Sequence, residues 1–545
     1  MATTPTPDDQ FVPRVAVPYQ TAAGSDERTS SFSTRGSRRI FLTNFAFLTT
    51  FLQCVLGRLW RWSPAILATT LVLLVYLKAI MAVDLTWDSL SYHLSFSALR
   101  VGLMTHWQFQ RGPVEKDNLA AYYKGFPIFA DIVRGWLWKL TGRPEATNLF
   151  GISVLVALVG YLKWAFRLPA SWAFIGLFAI PAVQTAASGS YVDLPASAAL
   201  AIFIFSVCDL WANRDKFRTP ARWIIMFFAA FAAANTKLQT SVFVCLTMPF
   251  ILPPVWWLLR ERNARWQTTF HVGLLLIAGA LVVQYNVVRN LLHHGNPFWP
   301  VEMRIAGIHF VGPVAQDAWL SPDRPFHWLP QPLQWLVSII EFHALDGRDV
   351  PYSMGMGSTN PLGGGMGGFF SGLVFAAVCF FILAVNKRRD WTGFCFLGTF
   401  VYFTIVSALF PNGQILRYDI FWIMFVVLGA LILLQSPSLE PYLQSYRIVL
   451  FAALAFVTSV TAGASFIPER LPMQEYVDRS GAEQILEKIV KPNDVICLEQ
   501  GKGHFDNRFT ILFAPIFHKK LAAERPYAIK EGYCDGYKTI SDWTR

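Results

Sequence analysis

Residues 64–83 are 20 positions of apolar sequence interrupted by a single lysine, and about 20 such residues in helical form cross the hydrocarbon core of a bilayer. Similar runs recur at 148–165, 171–187, 194–211, 238–259, 270–288, 369–385, 394–409, 420–434 and 448–464, with a shorter one at 223–234. The pattern predicts an all-α polytopic membrane protein of about 11 transmembrane helices. With 54% hydrophobic and 15% charged residues, 46 Phe, 20 Trp and 17 Tyr, the composition fits that class and not a soluble enzyme.

A formal charge of +11 is also what a nucleic-acid binder carries, so its position along the chain decides its meaning. Much of it falls in short loops between apolar runs: Arg214, Lys216, Arg218 and Arg222; Arg260, Arg262 and Arg265; Lys387, Arg388 and Arg389. Basic loops of this kind stay in the cytoplasm. The expected partners are therefore membrane lipids, with no nucleic acid, and the N-terminus is cytoplasmic. Residues 1–39, rich in Ser, Thr, Pro and charge with no apolar signal core, read as a disordered cytoplasmic tail. Residues 40–62, apolar with basic flanks, read as a helix lying on the cytoplasmic face, and 63–465 as the transmembrane domain with external loops 84–146 and 289–368. The last segment, 466–545, reads as a small external α/β domain, with AEQILEKIV a helix and DVICL a buried strand. Its Cys497 and Cys534 are candidates for a disulfide in an oxidising compartment, two unbonded thiols being the alternative.

Chemistry concentrates directly after the first run. Asp84, Asp88, His93, Arg100, Arg111, Glu115, Lys116 and Asp117 crowd a stretch that the flanking sequence keeps apolar. If 88–100 is helical, Tyr92 shares the Asp88 face at i+4 and His93 follows at i+5. A carboxylate at a low-dielectric boundary is a candidate general base. Residues 126–140 are apolar at helical spacing and predict an amphipathic helix along the membrane surface.

Sorted by the predicted topology, Asp84, Asp88, His93, Asp193, Lys237, Arg289, Glu302 and Arg417 all stand at outer edges of spans. Singly, each has a bland reading: an acid there caps a helix, and a Lys or Arg snorkels to headgroups. Together they suit a lipid phosphate, which Lys binds by charge and Arg by a bidentate fork. Gly363, Gly364 and Gly365 do not make a nucleotide loop, since no GK[ST] follows. His293 and His294 lack acids or cysteines at ligand spacing, so no metal and no cofactor are expected.

WDSLSYH (87–93), YYKGFPIFADIVRGWLWKLTG, SYVDLPAS (190–197), NTK (235–237), RNLLHHGNPFWP (289–300) and RYD (417–419) are ordered along the chain. The ordered set resembles the polytopic GT-C glycosyltransferases, above all bacterial members of the family-39 type, related to protein mannosyltransferases and aminoarabinose transferases. The resemblance covers residues 64–464. It implies a GT-C-like fold in a bacterial inner membrane and an inverting transfer of a sugar from a polyprenyl-phosphate donor to a glycan, lipid or protein acceptor at the external face. It implies Asp88 as base, Asp193 as a second acid, and Lys237, Arg289 and Arg417 as phosphate-binding residues; Tyr92, His93 and Glu302 join them as substrate-side candidates. Many relatives have adjacent Asp and Glu where this chain has Asp88 and Ser89, which leaves Asp84 as the understudy. Two other readings remain: a transporter or lipid flippase, which predicts charged or broken segments near the midplane, and a non-catalytic assembly protein of the same fold.

Overall fold

The computed structural model describes residues 62–86, 88–111, 118–305, 307–315, 328–340, 368–410, 413, 415–468 and 470–499, with short segments at 512–513, 516–517, 521, 524–525, 527–532 and 538–539. The expected tail at 1–39, nearly all of the interfacial helix at 40–62, and the three glycines lie outside them.

Each apolar run among the described residues is helical for most of its length. In chain order the helices are α1 (Trp62–Met81), α2 (Leu94–Arg100), α3 (Asn118–Gly125), α4 (Phe129–Thr141), α5 (Leu149–Phe166), α6 (Ala170–Phe178), α7 (Pro181–Ala187), α8 (Asp193–Ala212) and α9 (Pro220–Thr236). They continue with α10 (Leu238–Thr247), α11 (Leu252–Glu261), α12 (Trp266–Val283), α13 (Tyr285–His294), α14 (Gln331–Ile340), α15 (Gly368–Arg388), α16 (Trp391–Leu409), α17 (Ile420–Leu433), α18 (Glu440–Ser465), α19 (Met473–Arg479) and α20 (Ala482–Ile489). Among the described residues eight helical stretches are long and apolar enough to cross a membrane, or nine if the bent pair α6 and α7 is one span. The runs at 223–234 and 420–434 fall in α9, of 17 residues, and α17, of 14, both shorter than that measure.

α8 and α17 form the centre. Eighteen of the 20 residues of α8 and all 14 of α17 are buried. Ala196, Ala198, Ala199 and Ala201 give α8 the small surface that lets neighbouring helices approach closely, and Phe205, Phe396 and Phe425 interlock where α8, α16 and α17 meet. The peripheral helices turn Trp266, Leu275 and Phe375 outward, a surface suited to hydrocarbon rather than water. Pro181 has no N–H for the preceding turn and α6 bends by 99° into α7. Buried Gln184 donates to the Phe178 carbonyl across the bend, at 2.5 Å, so the break is satisfied from within.

Tryptophans gather the basic segments at one end. Trp211 packs on Trp257 and Trp391, and the Trp391 indole N–H donates to the Trp211 carbonyl at 3.0 Å. Arg222 there forms a buried ion pair with Asp209 and lies 4.6 Å from the Trp164 ring centroid.

Beyond the other end, the loop after α1 and the C-terminal segment fold as one body. Strand β1 (Phe109–Arg111) joins the sheet of β4 (Val495–Glu499), β5 (Ala528–Gly532) and β6 (Lys538–Thr539) in the order β1-β5-β4-β6, all parallel; β2 (Met303–Ile305) and β3 (Ile308–Phe310) make a separate hairpin. Phe109 is in register with Ile529, and Val83 donates to the Leu471 carbonyl at 2.9 Å. A second apolar core holds Leu90, Leu94, Ala98 and Trp138 from the loop against Met473, Val477, Ile496 and Ile529 from the tail. Cys497, on β4, is disulfide-bonded; its expected partner, Cys534, lies outside the described residues.

α4 is amphipathic, but its polar stripe faces inward. Asp131, Arg134 and Trp138 are buried, while Trp136 and Leu140 are exposed, an orientation that suits a helix resting in the interface with its polar side on protein.

Candidate active site

The backbone leaves α1 extended and then turns sharply. Asp84 fixes that turn: its carboxylate accepts from Thr86 N at 3.0 Å, Ser89 Oγ at 2.7 Å and Ser190 N at 2.7 Å, while Ser190 Oγ lies 2.6 Å from Ser89 Oγ. The approach depends on Gly189, where a Cβ would meet Asp84 Oδ2 at 2.9 Å. Asp84 therefore stitches the first loop to the segment before α8 and has its acceptor sites largely filled.

Asp88 has a different environment. It begins a π-helical turn, Ser89–His93, that leads directly into α2. Hydrogen bonds reaching from i to i+5 widen such a turn, which brings His93 as well as Tyr92 round toward the Asp88 side. Among the described residues the carboxylate makes no hydrogen bond, and its one ion pair is with Arg417 Nη1 at 3.6 Å. Burial raises its pKa; Arg417 first and His93 second oppose that, as does Lys237, while Asp193 adds to it.

The opposing wall comes from three places. Asp193 opens α8 and forms an ion pair with Lys237. Lys237 has extended backbone, at φ −147°, and breaks the chain between α9 and α10. The break is pinned by Asn235, whose side-chain amide donates to the Val283 carbonyl at 2.7 Å and whose oxygen accepts from Asn286 N at 3.1 Å. The ammonium of Lys237 stands 3.9 Å from the centroid of the Tyr418 ring. Arg417, in a short turn before α17, has its guanidinium 5.2 Å from the Tyr418 ring and 5.8 Å from that of Tyr191. Aromatic faces beside two cations hold them by cation–π attraction without neutralising them. Next to them Asp419 is buried and accepts from the Trp335 indole at 3.2 Å; burial pushes its carboxyl up to about 8.

Behind Asp88, His93 Nδ1 lies 3.7 Å from Asp131 Oδ1 of α4. Tyr122 stacks on Phe126 at 4.5 Å, and Tyr92 meets both rings edge-on. Burial, with Asp88 nearby, pushes the Tyr122 phenol up to about 12 and holds that of Tyr92 well above its ordinary value.

Of the residues expected from sequence, Asp88, Tyr92, His93, Asp193, Lys237 and Arg417 are brought to one place, with Asp84 beside them as the turn's anchor. Arg289 and Glu302 are not. The Arg289 guanidinium donates to the carbonyls of Lys124 at 2.9 Å and Gly125 at 3.1 Å, the last residues of α3, where carbonyls lack helical partners. Glu302 is on the β2–β3 hairpin segment, 2.7 Å from His309 and 3.9 Å from Arg304. Tyr191, Tyr418, Asp419, Asp131, Arg134 and Tyr122 lie within the ordered motifs but are not among the individual residues expected from sequence. Tyr191 and Tyr418 carried a signal, an aromatic beside a charge at a span edge; Asp131 and Arg134 carried the opposite one, since on an amphipathic helix a charge reads as solvated.

No family model matches this chain, and no curated protein matches it. Among solved structures it is similar to the crystal structure of ArnT from Cupriavidus metallidurans in the apo state, at 14% identity over 85% of each chain with a TM-score of 0.45. It is also similar to ArnT from Cupriavidus metallidurans bound to undecaprenyl phosphate, at 14% identity over 86% of each chain with a TM-score of 0.46.

Proposed function

We propose that this protein is a GT-C membrane glycosyltransferase that moves a sugar from a polyprenyl-phosphate donor to a glycan, lipid or protein acceptor at the external face of a bacterial inner membrane. The observation that carries the reading is a juxtaposition. Asp88, whose carboxylate makes no hydrogen bond among the described residues, faces Arg417 and stands in the field of the Lys237–Asp193 pair, away from the end where the basic loops gather. The ordered sequence motifs supply the Asp, the Lys and the Arg in question.

The reaction follows from the charges. Asp88 takes the proton of an acceptor hydroxyl as its oxygen attacks the anomeric carbon; the bond from that carbon to the phosphate oxygen breaks, and the polyprenyl phosphate leaves with the electron pair. Lys237 and Arg417 stabilise the negative charge that grows on the departing phosphate. Arg289, with its guanidinium on the α3 carbonyls, is left out of this role. Burial raises the basicity of Asp88 while its cationic neighbours, Arg417 first, favour its ionised form, the form a general base uses. A single displacement inverts the anomeric centre, and a lipid tail in the bilayer explains why the site sits on a bundle of spans. The external side is supported by the disulfide at Cys497, a bond that persists in oxidising compartments.

Transfer from a panel of radiolabelled polyprenyl-phosphate sugars in membranes, with donor binding measured in parallel, tests the reading. Wild-type protein should transfer one of them, and Asp88→Asn should lose about a hundredfold or more in turnover while still binding donor. Equal transfer by Asp88→Asn would remove Asp88 as base. Absence of donor binding would favour a transporter.

A further inference from the structure

Arg134 is 1% exposed, and among the described residues none of its three guanidinium nitrogens makes a hydrogen bond. A guanidinium taken out of water without partners is costly unless opposite charge surrounds it. That charge is present. Asp131, three residues earlier on the same face of α4, is also buried. Asp84, from the turn after α1, and Asp193, from α8, add their fields at longer range. Asp131 in turn stands 3.7 Å from His93 Nδ1, and neither ring nitrogen of His93 makes a hydrogen bond among the described residues. The arrangement is held tightly: a Cβ on Gly135 would fall 2.5 Å from the Ser97 carbonyl and 2.6 Å from Val101 Cγ1, so α4 lies against α2 at the closest range a glycine allows.

We propose that Arg134 is a positioning residue, the fixed cation buried beside the Asp131 carboxylate on α4, behind the turn that carries Asp88. It touches no substrate. Through Asp131 it sets His93, which stands beside Asp88. The catalytic consequence rests on the reading of Asp88 as base; the electrostatic one does not.

The test uses the full-length purified protein and two variants, Arg134→Met and Arg134→Lys. Thermal midpoints are measured between pH 5 and pH 8, with transfer and donor binding in parallel. A carboxylate that loses its cation has its folded-state pKa raised, so the stability lost is full at high pH and shrinks as pH falls and the group protonates. The midpoint gap between wild type and Arg134→Met should therefore be wider at pH 8 than at pH 5, with Arg134→Lys recovering most of it. Turnover should fall by about tenfold or more in Arg134→Met, with donor affinity within about threefold and partial recovery in Arg134→Lys. A gap that does not change with pH, or a lysine no better than methionine, overturns the proposal. Should Arg134→Met not fold, Arg134→Lys still decides: it must keep the wild-type pH slope at a uniformly lower midpoint, and a changed slope counts against the idea. If wild-type protein transfers no sugar, the glycosyltransferase reading fails while the pH-dependent gap still judges Arg134; if transfer occurs and the gap is flat, only Arg134 falls.

Discussion

Asp84 and Asp88 stand four residues apart, and the same chemical group meets opposite circumstances in them. Asp84 accepts hydrogen bonds from Thr86, Ser89 and Ser190, and bonds to a charged acceptor each contribute about 1.5–3 kcal/mol. Asp84→Ala should then lower stability by about 2–4 kcal/mol, seen as a lower thermal midpoint; Asp88→Ala, which gives up one ion pair, should leave the midpoint nearly unchanged. A smaller loss in Asp84→Ala than in Asp88→Ala would reverse the two assignments. Asp88 also makes a pH prediction. Burial raises its pKa and Arg417 is the largest opposing influence, and a base must be ionised to act. The acid limb of kcat/KM should therefore lie above the usual carboxylate range, and Arg417→Met should move it to higher pH. A pH–rate profile checks both, and an unmoved limb would detach Arg417 from Asp88. Asp88 and Lys237 were legible in sequence because each interrupts apolar surroundings at a span edge. Arg289 carries the same signal, a charge at a span edge, and nothing in its spacing tells that its guanidinium reaches the carbonyls closing α3.

Among the elements, the spans were the most legible part because a 20-residue apolar run has one stable conformation in hydrocarbon. The π turn was not. Helical spacing alone put His93 off the Asp88 face, and only the widened turn brings it round. The inward polar stripe of α4 escaped for a related reason, since the period reports that a helix has two faces and not which one the protein covers. Gly135 is the hinge of that arrangement. Gly135→Leu would drive side-chain atoms into the Ser97 carbonyl and Val101, and overpacking of this kind costs about 1–3 kcal/mol. It should separate α4 from α2, carry Asp131 away from His93 and reduce transfer by about tenfold or more, with a lowered thermal midpoint. Full activity in a folded Gly135→Leu protein would show that the α2–α4 clasp does not serve the site.

At the scale of the molecule, the first loop and the C-terminal segment are distant in sequence but share one sheet and one core. Phe109 is paired with Ile529, Val83 with Leu471, and the Asp88 turn rests through Leu90 and Leu94 on Met473 and Val477. Local patterns in 466–545 suggested a helix and a strand, but a parallel pairing with residues 109–111 leaves no trace in local periodicity. The pairing has a topological consequence. Strands of one sheet lie on one side of a membrane, so the loop and the tail share a compartment whatever the number of spans between them. Reporter fusions after Arg111 and after Arg545 should agree in sidedness, and disagreement would contradict the sheet. Which side they report is a separate question, on which the basic loops that gather near Trp211, Trp257 and Trp391 make a prediction. Lys and Arg in short loops stay in the cytoplasm, so both fusions should report outside. Two inside readings would leave the sheet intact, reverse the orientation, and put the proposed sugar transfer on the cytoplasmic face.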